Sequence, residues 1–213
     1  MLNQFVFGYP LVQMLEFAQI RDFNLSDDEF TKLESVIKGS KPKTTSDFKK
    51  PIRSQVQVPA HEVNAVIEIG NLAFESQDWL DAERIYGALL GQGVDWNPIM
   101  KSRWSLASTV SPFNPMSMLL SFQIASTSFT DCPTEYSPYL TLAIVKSAIG
   151  RWAHAKRWLR MATLTPNHPK ILIDSVQNKI EWMESLCTCP TKRHSILALS
   201  SIASQPSERR SMY

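Results

Sequence analysis

From Ala60 onward, apolar residues recur at three- and four-residue spacing in segments of 12–16 residues. A short polar or proline-containing turn closes each segment. That spacing belongs to an α-helix with one buried face. It predicts helices over 60–76, 79–92, 97–110, 115–128, 136–149, 152–164 and 168–187. No run alternates apolar and polar side chains for more than a few residues, so no strand is predicted. The first 38 residues predict two further helices, the first with Phe5, Val12, Leu15 and Phe17 on one face. Ser26 and Glu29 have the spacing of a capping box that opens the second over 27–38, turning Phe30, Leu33, Val36 and Ile37 inward. Gly39 is expected to close it in a left-handed conformation.

The stretch Gly39–Pro59 has no apolar period and is rich in lysine, serine, threonine and proline, as a flexible linker is. Residues 189–213 are serine-rich and carry Arg209 and Arg210; a weak helix over 195–203 and an otherwise frayed tail are expected. The organisation is therefore an N-terminal helical region (1–38), a linker (39–59), a helical repeat domain with a final capping helix (60–188) and a tail. Phe5, Phe7, Tyr9 and Phe17 make the first region a candidate for client contact or for a homodimer.

The helices carry a longer period. Ala82, Met118 and Ala155 recur at intervals of 36 and 37 residues. Tyr86, Phe122 and Leu159 follow one turn later, then Leu89, Ala125 and Ala162; Gly70, Leu106 and Ala143 precede each anchor by twelve residues. Two helices of a pair cross closely only where side chains are small, and a bulky residue one turn along fills the gap to the next pair. No pair buries its apolar face alone, so about three must stack around one core.

These residues resemble the tetratricopeptide repeat, which places a small residue in its first helix and alanine, an aromatic and alanine in its second. The match covers roughly residues 60–167. The first and third repeats fit, the third being followed by Pro166, whereas the second has Met118 and Leu106 in place of small residues. The resemblance implies an all-α, right-handed solenoid of about three helix pairs. Leu72-Ala73-Phe74 and the run from Trp79 to Leu90 are in addition similar to the first repeat of class II type III secretion chaperones. Those proteins hold hydrophobic translocator subunits in the bacterial cytosol. The linker and the glycine-poor second repeat depart from that family.

In such repeats the first helix of each pair lines a concave groove. The resemblance maps this groove to Asn64, Ile67, Asn71 and Phe74, then Met100, Arg103, Ala107 and Val110, then Ser137, Leu140, Ile144 and Ser147. A clamp for an acidic C-terminus requires several cations at these places. This set is mostly apolar and suits an extended apolar segment of a client protein. The alternative for Ile67, Leu140 and Ile144 is packing against the N-terminal helices or a second copy.

Composition changes this picture little. Lysine plus arginine number 22 against 20 acidic residues, and a net charge of +2 points to no polyanionic partner. Seven glycines argue against an all-β fold or a phosphate-cradling loop. No membrane span and no signal peptide are expected, and Cys132, Cys187 and Cys189 fit a reducing cytoplasm. Cys187-x-Cys189 with His194 lacks the spacing and ligand number of a zinc site, and no nucleophile elbow or nucleotide loop occurs, so no metal, cofactor or enzymatic activity is expected. The segment Arg151–Arg160 mixes cations with Trp152 and Trp158, but helical spacing turns Ala155 and Leu159 inward and leaves Lys156 and Arg160 on a solvated face, which disfavours nucleic acid. The expected function is a non-enzymatic chaperone or adaptor shielding an apolar client segment, with a permanent subunit of a larger assembly as the alternative.

Overall fold

The computed structural model describes residues 20–42, 60–91, 97–110 and 115–188. All regular structure among them is α-helical: α1 (Asp27–Gly39), α2 (Ala60–Glu75), α3 (Trp79–Gly91), α4 (Pro98–Val110), α5 (Pro115–Asp131), α6 (Ser137–Ala148), α7 (Trp152–Leu164) and α8 (Lys170–Thr188). Residues 20–22 are also helical. The first helix expected from the sequence, most of the linker, the tail and the aromatic face of Phe5 to Phe17 lie outside the described residues. None of the described helices is long and apolar enough to cross a membrane.

Local chemistry sets the boundaries. Ser26 and Glu29 form the capping box: Glu29 Oε2 accepts from the Ser26 N–H at 2.7 Å, and the Ser26 hydroxyl accepts from the Glu29 N–H. The expected left-handed Gly39 is corrected by the structure. Among described residues, only Gln77 (φ 61°) and Gly150 (φ 75°) have positive φ. Helix α1 stops instead because Ser40 turns extended while its N–H still reaches the Val36 carbonyl. Gln77 and Gly150 close α2 and α6 with paired bonds from their own and the next N–H, to Phe74 and Ala73, and to Ser147 and Lys146. This arrangement needs a left-handed residue past the helix end. Asp78 then caps α3 by accepting from the Asp81 N–H.

Each helix from α2 to α8 packs on the next, and α4 also touches α6. The repeat anchors face inward: Ala82, Tyr86, Leu106, Ala125, Ala143, Ala155 and Ala162 are fully buried, and Phe122, Leu159 and Leu89 nearly so. Met118, the oversized anchor, is only half-buried. A Cβ on Gly70 would lie 2.8 Å from Tyr86 Cε1, so glycine here is what lets α2 cross α3.

Helix α1 does not extend the stack at α2. Helix α1 packs on α7. Trp158, fully buried, sits among Phe23, Phe30, Phe129 and Tyr139 with ring centroids 4.8–6.3 Å away. Lys146 is buried and donates to the carbonyls of Ile20 (2.6 Å) and Phe23, tying α6 to the residues before α1. Burial pushes its pKa down to about 8, with the Arg151 charge acting in the same direction. The cations of α7 brace the same junction. Arg157 pairs with Asp27 and lies 4.3 Å over the Phe30 ring, Arg160 reaches Glu34 at 3.4 Å, and Lys156 reaches Glu184 on α8 at 2.5 Å.

Candidate functional site

Two contrasting regions lie along α2, α4 and α6. Arg103 on α4 centres the first. Its guanidinium donates to Asn71 Oδ1 at 3.2 Å and lies 5.1 Å over the Phe74 ring. It is 3.6 Å from Glu75 and 3.7 Å from Glu135. Tyr86 donates to the same Asn71 oxygen at 2.9 Å, and Ser137 donates to Glu135 at 2.7 Å. Burial pushes the Glu135 carboxyl above its ordinary range, against the opposing pull of Arg103. Burial likewise pushes the Tyr86 phenol up to about 12. Side chains from α2, α3, α4 and the α5–α6 turn are thus joined by one polar network. A largely buried guanidinium between two carboxylates is a fastener: one nitrogen donates to Asn71, while the buried Nε makes no hydrogen bond and faces Glu135 at 3.7 Å.

The second region is hollow. A cavity of about 430 Å³ lies between α4, α5, α6 and α8. Val110, Met118, Ile144, Leu172, Val176, Ile180 and Met183 supply apolar walls; Ser108, Thr109, Ser147, Ser175 and Lys179 supply polar points. It exists because α8 packs mainly along α7 and meets α6 over a short stretch, so the wedge between them is not closed. The Ser108 hydroxyl is buried and has no hydrogen-bond partner among the described residues. An orphaned buried hydroxyl costs about 1–3 kcal/mol.

The structure divides the twelve predicted groove residues. Asn71, Phe74, Arg103 and Ser137 meet in the polar network. Val110, Ile144 and Ser147 meet at the cavity. Ile67, Met100, Ala107 and Leu140 belong to the interior, where their exposure is 7% or less. They have no surface to offer a partner, and a charge at Ile67 or Leu140 would test folding, not binding. Asn64 is exposed, away from both groups. Sequence reasoning missed the α8 wall. Leu172, Val176, Ile180 and Met183 recur at helical spacing, a signal read as ordinary capping. The orphan Ser108 has no sequence signature.

Cys132 is buried, its thiol bonded to the Ser128 carbonyl and close to the Ser102 hydroxyl; Cys187 is exposed and free. His168 Nδ1 lies 2.6 Å from the Thr165 carbonyl at the start of α8. Among the described residues no three His, Cys, Asp or Glu side chains come together as metal ligands; Cys189 and His194 lie outside them. Comparison with protein-family models, curated proteins and solved structures finds no match to this chain.

Proposed function

We propose that this chain is a non-enzymatic adaptor of three stacked, tetratricopeptide-like helix pairs, and that it shields an apolar segment of a client protein in the cavity between α4, α5, α6 and α8. One observation carries the reading: a hollow of 430 Å³ lined mostly by aliphatic side chains with a few polar points. An extended peptide suits both kinds of lining. Its aliphatic side chains fill the apolar volume, each contributing roughly 1.5–3 kcal/mol before ordering costs. Its backbone amides address polar wall residues such as Thr109, Ser147 and Ser175. The serial packing of α2 to α8 and the inward repeat anchors support the stacked-pair architecture. The clients implied by the sequence resemblance are hydrophobic secretion substrates held before export, in the cytoplasm.

The test uses Ile144→Glu with Val176→Glu. Both positions are part-exposed at the cavity, so the fold should persist by circular dichroism. Clients captured from native lysate by the wild-type chain should disappear from the variant, and crosslinks from Val176 should map to apolar client segments. An unchanged client set removes the cavity from the function. A chain that is insoluble without its clients favours the permanent-subunit alternative.

A further inference from the structure

The outer face of α2 presents a second apolar surface, far from the cavity in composition and charge. Val63, Ile67, Gly70 and Phe74 form the buried arc of this helix. On the opposite arc Ile69 and Leu72 are 55% and 63% exposed, with Val66 beside them and Leu80 exposed at the start of α3. Two or three large aliphatic side chains on one helical face, all in water, are uncommon unless something covers them. In the described structure α1 turns away to α7, so α2 is the uncovered end of the stack.

Charge selects the occupant. Residues 60–84 contain Glu62, Glu68, Glu75, Asp78, Asp81 and Glu83 against one cation, Arg84, which is exposed one turn past Leu80 and lies 3.8 Å from Asp81. The remainder of the chain is net basic, since the whole carries +2. Glu68 and Glu75 border the Ile69–Leu72 stripe on the helix surface and are exposed. A second copy docking α2 on α2 would bring acidic borders against acidic borders. A helix with an apolar stripe flanked by lysine or arginine meets both features favourably.

We infer that the outer face of α2, with Leu80, is a docking surface for a basic amphipathic helix of a partner protein, separate from the client cavity. One helix face is smaller than a standard interface, so the contact is transient and salt-sensitive.

The experiment uses the full chain and two synthetic helical peptides with the same leucine stripe, one flanked by lysine and one by glutamate, read by fluorescence anisotropy. The lysine peptide should bind, the glutamate peptide about tenfold or more weakly, and the difference should shrink with added salt. Ile69→Ser with Leu72→Ser keeps the charge and removes the stripe; it should weaken the lysine peptide by about tenfold. Glu68→Lys keeps the stripe and should weaken it by about threefold. The cavity variant Ile144→Glu, Val176→Glu should bind the lysine peptide like wild type, which separates this surface from the proposed client site. Equal binding of both peptides, or indifference to the serine variant, overturns the inference. So does a doubled mass in light scattering that the serine variant abolishes, because that outcome assigns the face to a second copy.

Discussion

The Arg103 network and the cavity share α4 and α6, yet one is filled and the other hollow. At Arg103 a long cation, two carboxylates, an amide and two aromatic rings occupy the space where α2, α3, α4 and the α5–α6 turn meet. At the cavity, α8 diverges from α6 and the surrounding side chains, mostly aliphatic, do not reach across. Each region keeps a buried polar atom without a hydrogen bond, Arg103 Nε in the first and the Ser108 hydroxyl in the second, but Arg103 Nε still faces the Glu135 carboxylate at 3.7 Å. The contrast teaches that places made equivalent by the sequence period, such as Phe74 and Val110, do not share a role. What each becomes depends on which helix is brought against it.

The largest expected effect that would break this contrast is at Arg103. Arg103→Ala leaves Glu135 buried without its counter-charge and should cost about 3 kcal/mol in urea unfolding. A loss below about 1 kcal/mol would show that the network is ornamental to stability. Gly70→Ala comes next. Its methyl would press on Tyr86, the donor to Asn71, and should cost about 1–3 kcal/mol.

A pH profile sharpens the same side. Burial raises the Glu135 carboxyl above its ordinary 4.5 in the folded state. The folded chain therefore holds that proton to higher pH than the unfolded chain. This contribution is fully present below about 4.5 and is lost as pH rises through the folded value. Glu135→Gln should flatten the fall in melting temperature over that window; an unchanged slope would assign it to other carboxyls.

The cavity side should respond weakly in stability. Ala148→Leu adds volume at the wall and should change stability by less than about 1 kcal/mol while reducing client capture. Ser108→Ala should be neutral or up to about 1 kcal/mol more stable, because no bond is lost and an orphan is removed. A clear destabilisation there would mean that the hydroxyl is satisfied in solution.

Much of the helical framework was legible in the sequence. The α3, α4 and α7 segments were predicted to within a residue at each end, because apolar period and turn chemistry are local properties. Ser26–Glu29 was equally readable, since a capping box is completed by residues three apart. Gly39 was not. Composition shows that a residue tolerates left-handed geometry, but the geometry was adopted at Gln77 and Gly150 instead. The repeat anchors were visible as spacing and proved to be interior, as at Ala82, Tyr86 and Ala155.

The candidate site was half legible. Val110, Ile144 and Ser147 were named from equivalence between repeats and do border the cavity. Met100, Ala107 and Leu140 were named by the same rule and are interior. One-dimensional equivalence does not carry the angle at which the next helix arrives.

By itself the sequence determined helices, their ends and the small-to-bulky rhythm that sets close crossings, because these depend on contacts within a few turns. Tertiary structure alone decided that α1 docks on α7, that Lys146 holds the residues before it, and that α8 diverges to leave a hollow. Those outcomes depend on pairings across more than a hundred residues, or on the angle between two packed helices, which no local pattern encodes.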